Sequence, residues 1–333
     1  MSNEPDSVSD SLQRNSMVVK KERLYGRLIA ASAVLTILVT VGIVLSLSGR
    51  AITFWTHVSP LDFFTGTSWS PIINNEYGVL PLVSGTLLVT VMSALIALPI
   101  GLAAAIYLSE YASDRVRSIL KPALEILAGV PTVIYGYMAL VYVTPLIDGF
   151  LPVSVRLIPP GVPLLPEFTL VFPSLGTFNV LSASIVVGIM IIPMVSSISE
   201  DALSAVPDSL REAAYGLGST KFDVSTKVVV PAATSGIVAS YVLAISRAIG
   251  ETMAVTMAMG MSPQMPYFPD VLRNLAESSQ TITAAMVQIA GADSLGGVTY
   301  EAMFALGMTL FVITLGMNVL AELVRRRFRE EYE

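Results

Sequence analysis

Arg247 and Glu251 stand four positions apart in a run that is otherwise uncharged and mostly apolar from about Gly236 to Gly260. An ionised residue at the centre of a membrane helix costs about 2.5–3.5 kcal/mol on insertion scales, so something must offset it. On one continuous helix, positions i and i+4 share a face, and the spacing predicts that the two side chains pair. Two readings follow. In one, the pair is buried against neighbouring helices and sets their packing. In the other, the face lines a passage, and the planar donor fork of Arg247 attracts an oxyanion. A carboxylate beside it repels an anion unless the anion brings a proton of its own. Hydrogen phosphate carries one at neutral pH and sulfate does not, so the arrangement favours phosphate.

Other chemistries find little support in the residues. There is no Cys, so disulfides and thiolate metal sites are out, and His57 is the single imidazole. A metal site or triad built on histidine is not expected, and neither is a cofactor or a nucleic-acid partner. No G-x-x-x-x-G-K-[ST] run is present, so this chain is not itself an ATPase.

What must position Arg247 and Glu251 is a set of membrane helices. With 53% hydrophobic and 13% charged residues, and several apolar runs of about twenty residues, the chain reads as an all-α polytopic membrane protein in contact with lipid. The formal charge of −6 says less than the placement of the basic residues. Residues 1–23 form a polar tail, disordered as far as about Val19. The first span is placed at 24–48, with its apolar run from Leu28 to Leu47, and is not a cleaved signal. A loop at 49–78 follows, with Trp55, Phe63, Phe64, Trp69 and Tyr77 suited to a membrane–water boundary. The second span runs from about Val79 to Leu98, is kinked by Pro99 and Gly101, and continues to Leu108. A basic connection, Ser109 to Lys121, leads to a third span at about 119–146, where Gly129, Pro131 and Gly136 allow a bend. From Asp148 to Asn179, Pro152, Pro159, Pro160, Pro163, Pro166 and Pro173, with Pro145 just before, predict an extended cover. The fourth span, 180–198, is interrupted by Pro193, and the fifth is 236–260. A polar loop, 261–298, precedes the sixth span at 300–320. The permease core is thus 79–322, and a basic tail occupies 323–333.

Six spans put both termini on one side, which the basic residues can test. Of the nineteen Lys and Arg, fifteen fall on the N-terminal side. They are Arg14, Lys20, Lys21, Arg23, Arg27, Arg115, Arg117, Lys121, Arg211, Lys221, Lys227, Arg325, Arg326, Arg327 and Arg329. Only Arg50, Arg156 and Arg273 fall on the other, with Arg247 inside a span. The positive-inside rule therefore predicts cytoplasmic termini in a cell membrane.

It also places a polar segment, 200–231, in the cytoplasm between the fourth and fifth spans. Ser209 with Glu212 has the spacing of a capping box. Leu210, Ala213, Ala214 and Leu217 then make one apolar helix face, Gly218 supplies a left-handed end, Thr220 with Asp223 suggests a second start, and Pro231 closes the unit. The residues predict a small helix-turn-helix, either a docking surface or a hairpin on the lipid headgroups.

Glu212, Ala213, Ala214, Gly218 and Pro231 stand at the spacing of the EAA loop of ABC importer permeases, which this segment resembles. The run Ser246 to Val255, SRAIGETMAV, resembles the signature of phosphate-specific permeases, and Gly129 to Tyr137 with Phe63 to Trp69 are similar to the PstC type. The resemblance implies a type I importer permease fold and a transport subunit rather than an enzyme. It implies a passage at Arg247, Glu251 and Thr252, and coupling through Glu212, Ala213, Ala214 and Gly218. It also implies a second homologous permease subunit, two ATP-binding subunits and an extracytoplasmic phosphate-binding protein. Alternatives are a permease for sulfate or molybdate, or a secondary anion transporter.

Overall fold

The computed structural model describes residues 16–151, 153–156, 169–268, 270–292 and 296–327. Of the tail expected to be disordered as far as about Val19, residues 1–15 lie outside them, whereas Ser16–Val19 begin a helix; the end of the basic tail at 328–333 and most prolines of the 148–179 segment also lie outside.

Among the described residues, four helices are long and apolar enough to cross a membrane, and six spans result when each of two bent pairs is taken as one. The first is α1, Ser16–His57. It continues nine residues beyond the expected end at 48, because Gly49 alone does not stop a helix and the next proline is Pro60. Its last turns bury Ala51 and Phe54 under a small cap. In the cap, α2 (Pro60–Thr65) and a hairpin of β1 (Trp69–Ser70) and β2 (Glu76–Tyr77) bring Trp69 opposite Tyr77. Phe54 meets Phe63 and Tyr77 edge-on, each at 5.5 Å. Phe63, Trp69 and Tyr77 are therefore interior residues of the cap and not boundary anchors. The cap closes where Gly66 crosses Gly78, since a Cβ on either would come within 2.7 Å of the other's backbone.

The centre of the fold is the pairing of α3 (Leu80–Ile106) with α7 (Val180–Ser204). Both run unbroken through their prolines, Pro99 and Pro193. Small residues let them approach: a Cβ on Gly101 would meet Val195 at 2.7 Å, and one on Gly188 would meet the Ser93 carbonyl at 3.3 Å. Val89, Ala97, Val187, Ile191 and Val195 fill the seam. Helix α3 ends in a π-turn, Tyr107–Tyr111.

The expected third span is two pieces. Helix α4, Asp114–Ala128, meets the segment Thr132–Asp148 at 88°. That segment is α5 (Thr132–Met138), a π-turn and α6 (Thr144–Asp148). Pro131 has no amide proton and disfavours helix at Val130, so Gly129–Pro131 is the natural hinge. A second hairpin pairs β3 (Val153–Arg156) with β4 (Thr169–Phe172).

After α7 come α8 (Asp208–Gly216), then α9 (Lys221–Val224), a π-turn (Ser225–Val229) and α10 (Val230–Ala232). Helix α11, Thr234–Ile249, leaves this unit at 72°. The fifth span was expected to continue unbroken to 260, but it stops at Ile249, and α12, Met253–Met259, is a separate helix. The expected polar loop 261–298 holds α13 (Val271–Ala276) and α14 (Ile282–Gly291). Helix α14 buries Ile282, Ala284, Ala285 and Ile289, yet its ten residues are too few to cross a bilayer. Helix α15, Val298–Arg327, packs on α1 and completes the bundle.

Candidate functional site

Helix α8 does not start as the capping box predicts. Pro207 holds the N-cap position without a side-chain cap, so Ser209 and Glu212 fall inside the helix and do not bond each other's amides. Asp208 provides the acid of the first turn. The end of the helix follows the expectation. Gly218 has φ +84°, its amide donates to the Tyr215 carbonyl at 2.9 Å, and the Ser219 amide donates to Ala214 at 3.1 Å. Those two bonds form the Schellman motif that a left-handed glycine permits. Thr220 then caps α9 by accepting from the Asp223 amide at 3.2 Å.

The predicted apolar face splits. Leu210 and Ala214 pack against Val206, Val224 and Val229. Ala213, Tyr215 and Leu217 are exposed, Leu217 to 88%, with Phe222 beside them in sequence at 67%. Leu217 lies at the C-cap, where the chain turns out of the helix and carries it off the packed side. Glu212, Ala213 and Gly218 are exposed as well.

Residues that the sequence offers only as flanking charges fasten this end of the bundle. Arg211 of α8 donates to both oxygens of Glu110, at 2.9 and 3.4 Å, and to the carbonyls of Leu203 and Val206, at 2.8 and 2.6 Å. On α7, Glu200 is fully buried and accepts from Arg117 and, at 2.6 Å, from Lys121. Lys121 also reaches Asp201 at 2.7 Å. An acid at the end of an apolar run, with a basic residue in the next polar segment, is the only signal that could have pointed to these pairs.

At the other candidate position, Arg247 and Glu251 do not share a helix face. Arg247 sits exposed on the last turn of α11, which Gly250 caps. Glu251 lies beyond that end, 7% exposed, and its Oε1 accepts from the amides of Thr252 at 3.1 Å and Ala254 at 3.2 Å. The burial of a carboxylate is offset here by the donors and the dipole of the α12 N-terminus rather than by an ion pair. Thr283 Oγ1 donates to the Glu251 carbonyl at 2.9 Å, so the break is pinned to the start of α14. Thr252 is half-buried and donates to the Gly250 carbonyl at 3.2 Å. The structure thus brings Glu251 and Thr252 together at a helix break, with Arg247 one turn away on the surface of the chain. The large cavity, about 620 Å³ and lined by His57, Asp62 and Glu76 of the cap among others, includes neither Arg247 nor Glu251.

Residues 97–330 match the family described as binding-protein-dependent transport system inner membrane component. The chain belongs to that family: it is a multi-pass inner-membrane permease component, not the ATPase, with the type I ABC importer permease fold. Among its relatives, the phosphate transport system permease protein PstC of Haemophilus influenzae is 33% identical over 313 residues, covering 93% of this chain and 94% of that one. PstC of Xylella fastidiosa is also 33% identical, covering 80% and 79%. The probable ABC transporter permease protein YqgH of Bacillus subtilis is 32% identical and covers 92% of each. The likeness to the PstC type expected from the sequence is borne out by these relatives. Among solved structures, a chain of a bacterial alginate ABC transporter superposes with a TM-score of 0.59 at 14% identity, over 96% of this chain and all of that one. A chain of the MetNI methionine ABC transporter gives 0.52 at 16%, over 76% and 95%.

Proposed function

We propose that this chain is the permease subunit of an ATP-driven importer of inorganic phosphate. It forms the passage with a second, homologous permease and takes its drive from two ATP-binding subunits through α8. An extracytoplasmic phosphate-binding protein delivers the anion to the opposite face. The likeness to PstC over most of the chain supports phosphate as the cargo.

The observation that carries the coupling role is the exposure of Ala213, Tyr215, Leu217 and Phe222 on either side of the Gly218 turn. Large apolar residues held outward on a polar, tightly terminated helix are suited to a protein groove. The distribution of Lys and Arg supports cytoplasmic termini and, with them, a cytoplasmic position for these residues, within reach of an ATPase.

Arg247 and the polar break at Glu251–Thr252 are the part of the passage that handles the anion. With Glu251 bonded to amides, Arg247 makes no ion pair among the described residues, so its fork is open to an oxyanion. Reconstitution with the three partner proteins tests the whole reading. Radiolabelled phosphate should enter only with ATP, and excess phosphate should compete where sulfate and molybdate do not. Uptake driven by an ion gradient without ATP would replace the reading with a secondary transporter.

A further inference from the structure

We infer that Arg211 is the strut that passes movement of the docking helix into the membrane spans, with Glu110 as its seat. The inference rests on the coupling role proposed for α8. Helix α8 has no fully buried residue and only Leu210 and Ala214 pack inward, so apolar contact holds it weakly. Arg211 supplies what packing does not. Its side chain is 14% exposed and that of Glu110 is 4% exposed. From one guanidinium, bonds run to three elements: to both carboxylate oxygens of Glu110 in the π-turn ending α3, to the Leu203 and Val206 carbonyls at the end of α7, and to Asp208 in the first turn of α8 at 3.2 Å.

That geometry has a mechanical consequence. Helices α3 and α7 form the central pair of the fold, and the guanidinium ties both to the one short helix that presents Leu217 and Tyr215 outward. The planar fork resists rotation about its axis in a way that a lysine ammonium does not. A push on α8 is transmitted to α3 and α7 through these directed bonds. Arg211 and Glu110 are positioning residues, and neither touches the anion.

The experiment compares the reconstituted complete transporter carrying Arg211→Gln, Glu110→Gln or both with the unaltered complex, reading ATP hydrolysis and phosphate uptake together. The strut predicts that the ATPase subunits still co-purify and hydrolysis stays within about threefold, while phosphate moved per ATP falls about tenfold or more, the scale of one lost charge-assisted bond. The double variant should be no worse than either single one, because each removes the same joint. An unchanged ratio in Arg211→Gln overturns the inference, as does a parallel fall of uptake and hydrolysis. If Arg211→Gln loses its ATPase subunits, Arg211→Lys decides. A lowered ratio in an intact Lys complex supports the strut, whereas a normal ratio or a lost complex overturns it. Absence of ATP-dependent uptake in the unaltered complex would instead refute the transport function, a separate outcome.

Discussion

Glu251 takes its hydrogen bonds from the backbone of α12 and none from Arg247, although the two residues stand four positions apart in the chain. The helix that would pair them ends at Ile249. The two charges therefore have separate surroundings: the carboxylate builds the break, and the guanidinium stands exposed on the last turn of α11.

Arg247→Ala should lower phosphate uptake by at least about tenfold, the worth of one charge-assisted hydrogen bond, with the complex still assembling. Arg247→Lys keeps the charge without the fork and should retain part of the activity. Uptake measured in proteoliposomes of equal protein content checks both, and normal uptake by the alanine variant would remove Arg247 from the passage.

Glu251→Ala strips the amides of Thr252 and Ala254 of their acceptor. Loss of a helix cap costs about 0.5–2 kcal/mol, so the thermal midpoint of the purified protein should drop by a few degrees. Glu251→Gln keeps an acceptor and removes the charge. If the carboxylate accepts a hydrogen bond from hydrogen phosphate, sulfate should compete better in the Gln variant than in the unaltered transporter. Unchanged competition would confine Glu251 to a structural role.

Glu200→Ala leaves Arg117 and Lys121 facing a buried gap where their shared acceptor stood. The cations left behind are partly exposed and Lys121 keeps Asp201, so the loss is that of charge-assisted bonds, about 1.5–3 kcal/mol, and thermal unfolding in detergent should show a lowered midpoint. Stability equal to that of the unaltered chain would mean that α4 is held by other contacts.

Gly218→Ala probes the turn. A Cβ there meets no atom within 4 Å, so any effect comes from the backbone at φ +84°. The left-handed conformation costs a non-glycine residue roughly 1–2 kcal/mol. The variant should lose ATPase affinity while its spans remain intact, and Gly218→Asn should lose less. Co-purification at increasing salt measures the difference.

The parts of this fold legible in the sequence are those set by local chemistry. Runs such as Leu28 to Leu47 can be placed by hydropathy, and the end of α8 by Gly218 followed by Thr220. What escaped depends on partners distant in the chain. No local rule says that Glu110 meets Arg211, or that Glu200 meets Lys121, because burial of a carboxylate becomes tolerable only when a cation from another element arrives. The break at Gly250 was hidden by apolar neighbours, although Gly250 before Glu251 and Thr252 has the form of a helix stop followed by a cap. Helix α14 was hidden by its length, since ten residues that include the polar Thr283 and Gln288 do not read as a span. The capping box failed for a local reason as well: Pro207 took the N-cap position and shifted Ser209 into the helix.

The drive proposed for this permease is a cytoplasmic ATPase acting through α8. Leu217→Glu is the sharpest probe of that drive, because a side chain 88% exposed contributes little packing to the fold. The measurement is ATP-dependent phosphate uptake alongside retention of the ATPase subunits on the purified permease. The account predicts loss of both, with the thermal midpoint of the permease itself unchanged. ATPase retention and uptake at the level of the unaltered complex would contradict it.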